Sequence, residues 1–274
     1  MRFPMTPMVK NLLIVNIGIF IVSIFCLINL RLDANLYFGL HSWYSENFKP
    51  WQFITNIFMH QYWDMQGIVF GHVFRNMLAL FFFGPMLEMR WGARRFLFFY
   101  LFTGVCAGFL YWGINAYQTA QLKSAVETYL SNPNPDGFAD LMRNYDKHNL
   151  QSNIDYIDKY SYEPNNPSLI SETKQYAKDL FRSHAGFSLV GASGAIFGIL
   201  LAFAMLFPNT EMFLLFIPFP IKAKYFVTFY GLYELYAGYQ DNPGDNVAHF
   251  VHLAGMLFGF ILVKYWQKQR NTFY

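Results

Sequence analysis

Gly191-Ala-Ser-Gly-Ala-Ile-Phe-Gly198 lies near the start of one apolar run, and His252-Leu-Ala-Gly-Met-Leu-Phe-Gly259 near the start of another. Each run is about 20 residues long, the length at which a helix crosses the hydrocarbon core of a bilayer. Ser193 is a nucleophile-type residue framed by glycines, and His252 offers a lone-pair base. Polar side chains at such depth are costly and mark functional positions. Together the two stretches point to a membrane-spanning helical protein with hydrolytic chemistry inside the bilayer.

Composition agrees with a lipid-solvated chain. Only 14% of the 274 residues are charged, against about 25% in soluble domains. The 32 Phe and 19 Tyr suit a lipid-facing surface with aromatic anchors at the interface. A net charge of +3 gives no case for a nucleic-acid partner. Cys26 and Cys106 fall in apolar runs without metal-type spacing, so they read as small buried hydrophobes and not as a disulfide framework. The run after Lys10 lacks a small-residue cleavage site and reads as a retained first helix.

Six runs reach or approach bilayer length: Asn11–Leu30, Val69–Met89, Phe96–Trp112, Ser188–Phe207, Tyr225–Tyr239 (the shortest) and Val247–Trp266. Basic residues cluster before the first, between the second and third, before the fifth and after the sixth. With six spans, all four clusters fall on one side, which predicts cytoplasmic termini. The expected location is a bacterial inner membrane. Pro208–Lys222 is apolar but broken by proline, and reads as a hairpin or interfacial segment, not a seventh helix. Residues 115–185 are polar, with Asn132-Pro-Asn-Pro-Asp136 and Pro164-Asn-Asn-Pro167 as turn signals. They read as a partly helical extramembrane insertion with too few apolar residues for an independent domain. The predicted division is therefore a six-helix membrane core, residues 1–114 and 186–274, and an insertion, residues 115–185.

This topology places the polar groups at one depth. His72 lies about three residues into the second span and Asn76 a turn deeper. Ser193 and His252 each lie about five residues into theirs. At 1.5 Å per residue all four fall within roughly 10 Å of the outer surface. A serine hydroxyl needs a base to take its proton, and His252 can serve. His72 and Asn76, spaced i, i+4, share a helix face and can donate to an oxyanion, with the Ser193 amide as a third donor. Gly191 and Gly194 clear space around the serine. Gly194-x-x-x-Gly198 and Gly255-x-x-x-Gly259 are small-residue faces that let two helices approach closely.

These residues resemble those of the rhomboid intramembrane serine proteases. The resemblance rests on His72-x-x-x-Asn76, Gly191-Ala-Ser-Gly194 and His252-x-x-Gly255, in that order. It extends to Trp51, Thr55 and Glu88-x-x-x-Gly92, and covers most of the chain outside the insertion. It implies a six-helix rhomboid-like bundle that cleaves single-span or multi-span membrane protein substrates. Ser193 would be nucleophile, His252 general base and acid, and His72 and Asn76 oxyanion donors. A dyad without a carboxylate is implied, with no cofactor and no metal. Three departures stand out. Gln52 replaces an Arg found in some members. Phe197 replaces a Tyr, keeping a ring to stack on His252 but losing the hydroxyl. Gln61–Gly71 is longer than usual. His249 is a rival to His252, although the Leu-Ala-Gly after His252 fits the family better. The alternative function is a rhomboid-like binder of membrane clients without proteolysis; such proteins lack the serine or the histidine, and this chain has both. A transporter would carry ionisable groups at mid-depth along a path.

Overall fold

The computed structural model describes residues 5–64, 67–212, 219–240 and 248–271. Among these, the main helices in chain order are α1 (Pro7–Phe25), α2 (Gly71–Trp91), α3 (Ala93–Ser131), α4 (Pro135–Tyr145), α5 (Ile154–Tyr162), α6 (Pro167–Ala185), α7 (Ser193–Leu206), α8 (Ala223–Gln240) and α9 (His249–Asn271). Strands among the described residues are two-residue pieces, so the fold is all-α. The chain forms two compact units. One comprises Met1–Leu40, Lys49–Tyr111 and Ser188–Tyr274, and the other His41–Phe48 and Trp112–Phe187.

The first unit is built around α7. Ten of its fourteen residues are buried, on every side of the helix. A helix apolar all round belongs in an interior. The core around it takes Val9 and Leu12 from α1, Leu80 and Leu87 from α2, Phe96 and Phe99 from α3, and Leu262 and Val263 from α9. The outer faces are apolar too: Ile14, Ile21 and Val22 on α1, Phe229 and Leu232 on α8, and Leu257, Phe260 and Ile261 on α9 are exposed. So much exposed apolar surface requires an apolar solvent. Among the described residues, three helical segments are long and apolar enough to cross a bilayer: Pro7–Leu30, Ala93–Ser131 and His249–Gln269. The α7 helix is apolar but short. The α2 helix is interrupted by Arg75, Glu88 and Arg90, and α8 by Lys224 and Glu234.

Glu88 ties the start of α1 to the end of α2. Its carboxylate accepts from the Thr6 hydroxyl (2.5 Å) and from the amides of Met8 (2.9 Å) and Val9 (2.8 Å). These are amides that a helix N-terminus leaves unpaired, and a negative group is favourable there. At the same end, Trp91, Phe99 and Trp266 pack their rings, with centroids 4.9 Å and 5.2 Å from Trp91.

Several boundaries differ from the sequence expectation. Gln61–Gly71 contains an antiparallel pair, β1 (Trp63–Asp64) and β2 (Gly67–Ile68), which accommodates its extra length. The third expected span and the first insertion segment are one 39-residue helix, because no proline interrupts the sequence until Pro133. The fourth span was expected to begin at Ser188, yet α7 begins at Ser193. Gly191 has φ +131°, a backbone that helix cannot continue through, so Ser188–Ala192 is not helical. Between α7 and α8, β3 (Glu211–Met212) pairs antiparallel with β4 (Ile221–Lys222) in the proline-broken connection. The part of that connection at 213–218 lies outside the described residues.

The second unit has its own core of Leu122, Val126, Tyr129, Phe138, Leu141, Met142, Ile157, Tyr160, Leu169 and Ala177. This is more apolar packing than the polar sequence suggested. The residues are spread at helical spacing among Asn, Asp and Lys, so no single stretch stands out. The two proline-asparagine stretches are helix starts. Asn134 accepts from the Gly137 amide (2.8 Å) ahead of Pro135, and Asn166 from the Ser168 amide (3.0 Å) ahead of Pro167. Asn at the cap and Pro at the first helical position is a favoured pairing. Inside, the Tyr129 hydroxyl donates to Thr173 (2.6 Å), and Tyr176 donates to Asp146.

Candidate active site

Ser193 is the first residue of α7, not the fifth residue of a span. The Ile196 amide is the one that closes on the Ala192 carbonyl (3.0 Å). The amides of Ser193, Gly194 and Ala195 therefore have no acceptor within the helix, and they carry the positive end of its dipole. The turn leading to Ser193 is held by the Gly191 amide, which donates to the Asn56 carbonyl (2.9 Å). Asn56 is fixed in turn by its side-chain amide on the Gln52 carbonyl (2.5 Å). Gln52 is fully buried. It accepts from the Lys49 amide (3.0 Å) and donates to the Tyr37 carbonyl (3.2 Å). A neutral side chain that both gives and accepts suits that interior position, where an arginine would only donate.

The glycine at 191 is required twice over. Its φ is one that other residues rarely adopt, and a Cβ there would lie 2.8 Å from both Cε1 and Nε2 of His72. The His72 ring thus lies against the backbone leading to Ser193. Its Nδ1 accepts from the Gln61 amide (3.1 Å), so the proton of the neutral ring sits on Nε2, at the edge beside Gly191. His60, buried behind it, packs edge-on against His72 at 5.4 Å. Asn76 is also buried, and one amide proton goes to the His72 carbonyl of its own helix (3.2 Å), leaving the second for another acceptor.

His252 arrives through the glycine contact of α7 with α9. A Cβ on Gly255 would fall 2.0 Å from the Gly194 carbonyl oxygen, and one on Gly259 would fall 3.0 Å from the Gly198 Cα. A Cβ on Gly194 would meet Val251 at 3.2 Å, and one on Gly198 would meet Thr103 of α3 at 3.0 Å. The two helices touch backbone to backbone, which sets Gly194, the residue after Ser193, against Val251 and Gly255 in the first two turns of α9. The Phe197 ring lies on the His252 ring, with centroids 4.0 Å apart and planes 7° apart.

One member of this cluster escaped the sequence reading. Glu234 of α8 is 2% exposed, and its Oε2 lies 2.8 Å from Nδ1 of His252 and 2.7 Å from Nδ1 of His249. Two signals were available. Glu234 is the one acid between Tyr225 and Tyr239, and it lies six residues from the end of α8, about 9 Å, the depth already assigned to His252. Glu234, His249 and His252 are also a donor set that a divalent metal takes, with ligand atoms within 4.8 Å of one another. The separations fit hydrogen bonds better. Ligands at about 2.0–2.1 Å from a tetrahedral zinc stand about 3.3 Å apart.

Residues 47–126 and 169–268 match the family model described as the Rhomboid domain. The chain belongs to the rhomboid family. It is accordingly an integral membrane protein of a family of intramembrane proteases that act on membrane protein substrates. No curated protein and no solved structure matches it. The stretch between the two matched segments of this rhomboid chain, residues 127–168, falls within the second compact unit.

Proposed function

We propose that this rhomboid is an active intramembrane serine endopeptidase with Ser193 as nucleophile and His252 as base. The Ser193 oxygen attacks the scissile carbonyl carbon while its proton passes to Nε2 of His252. The carbonyl electron pair moves onto oxygen, where His72 Nε2–H, the free Asn76 amide proton and the Ser193 amide can donate to it. The carbon–nitrogen bond then breaks, and the leaving amine takes the proton from His252. Water repeats the sequence on the acyl-enzyme and frees the serine.

The observation that carries this reading is that Ser193 opens a helix with His72 against Gly191, two residues before it, and His252 stacked on Phe197, four residues after it. Six spans are part of the proposal: α1, α2, α3, α7, α8 and α9, with the basic clusters and both termini on the cytoplasmic side. The site then opens toward the outer face, in reach of water. Residues 115–185 form an extramembrane insertion on that same side. Substrates are single-span or multi-span membrane proteins presented laterally from the bilayer.

The test is labelling by a fluorophosphonate probe together with cleavage of a panel of single-span substrates in proteoliposomes. The parent labels and cleaves. Ser193→Ala and His252→Ala, each folded in detergent, do neither. Full activity in either variant would refute the assignment, and client capture without cleavage by the parent would favour a non-proteolytic binder.

A further inference from the structure

We propose that Glu234 is a positioning residue for His252, making the hydrolytic centre a Ser193–His252–Glu234 triad in place of the dyad that the resemblance implies. The inference rests on the reading of Ser193 and His252 as nucleophile and base. An ionised carboxylate only accepts hydrogen bonds. With its Oε2 at 2.8 Å, the Nδ1 of His252 must carry its hydrogen, and the lone pair is left on Nε2. The Phe197 ring at 4.0 Å fixes the plane of the same imidazole. Tautomer and orientation are thus set by contacts from two different helices, α8 and α7.

The arrangement also favours the charge that forms during reaction. When Nε2 takes the serine proton, a cation appears beside a buried anion, where Coulombic attraction exceeds that in water. A buried carboxylate is itself costly unless hydrogen-bonded. His249, one turn before His252, meets this need with a second donor on the same oxygen, at 2.7 Å. Among the described residues, the other titratable or charged groups around the Glu234–His249–His252 cluster are Tyr230 and Tyr233 of α8 and His72 and Arg75 of α2. Apart from Ser193, α7 carries no charged or titratable side chain.

The decisive variant is Glu234→Gln, assayed in proteoliposomes across pH. Its kcat should fall on the order of 10²-fold or more, with KM near the parent's. Loss of the counter-charge makes the imidazolium harder to form, so the acid limb of kcat/KM should move to lower pH by about one unit. Glu234→Asp should restore part of the rate. An unmoved acid limb would overturn the proposal, whatever the rate. A second measurement needs neither proteolysis nor a change at 234: nitrogen NMR of histidine-labelled Ser193→Ala protein in micelles. Neutral His252 should carry its proton on Nδ1. A proton on Nε2 would overturn the proposal even if the protein cleaves substrates, whereas a parent that cleaves nothing strikes the protease reading and leaves the tautomer result standing. Loss of activity to a chelator, restored by zinc, would also overturn it and make the three side chains a metal site.

Discussion

His72 uses its two ring nitrogens for different ends. Nδ1 accepts from the Gln61 amide (3.1 Å), and this commits Nε2–H to the edge facing Gly191. A donor fixed in this way stabilises an oxyanion without reorganising as charge develops. His72→Ala and Asn76→Ala should each lower kcat, by on the order of 10²–10³ for a lost donor, with little change in KM. Steady-state kinetics on one reconstituted substrate checks this, and variants that alter KM alone would place both residues in substrate binding. At this scale most residues of the candidate site could be picked out from the sequence. Ser193, His252, His72 and Asn76 drew attention as polar residues in apolar runs. Glu234 did not, because its neighbours Tyr230, Tyr233 and Tyr236 dilute the apolar signal of α8. Asn56 did not either, because it acts through its backbone carbonyl, which no residue type announces.

Helix α7 meets α9 through glycines, and the closest of them lies next to the serine. A Cβ at Gly255 would sit 2.0 Å from the Gly194 carbonyl oxygen. That neighbour is backbone and cannot swing away, so Gly255→Ala must push the helices apart. Overpacking of this kind costs about 1–3 kcal/mol or more, and a shift near 1 Å in a catalytic pair costs about 10²-fold in rate. Gly255→Ala should therefore reduce kcat by about that factor and lower the thermal midpoint in detergent. Gly18→Ala is a control, since a Cβ there meets nothing within 4 Å. Equal behaviour of the two would remove the close contact from the account. The positions of the long helices followed from runs of apolar residues. Their ends did not, because local backbone features decide them: the positive φ of Gly191 delays α7, and the absence of proline carries α3 on to Ser131.

Across the whole molecule, the two compact units have separate cores and different surfaces. The candidate site draws its residues from the first unit alone. Replacing Gln118–Arg182 with a short flexible linker should therefore leave fluorophosphonate labelling of Ser193 intact, while any change in cleavage should depend on the substrate offered. Complete loss of labelling in a folded deletion protein would show that the second unit helps to build the site. Its core was hard to read in the sequence because eleven buried residues, Ala139 among them, are distributed over four helices and nearly sixty positions. The short central helix bears on how water, the second substrate of the proposed hydrolysis, reaches Ser193. Fourteen residues span about 21 Å of a hydrocarbon layer about 30 Å thick, so on the proposed topology the serine begins below the lipid surface and water must descend to it. Lowering water activity with large osmolytes should then slow deacylation more than acylation, so that acyl-enzyme accumulates.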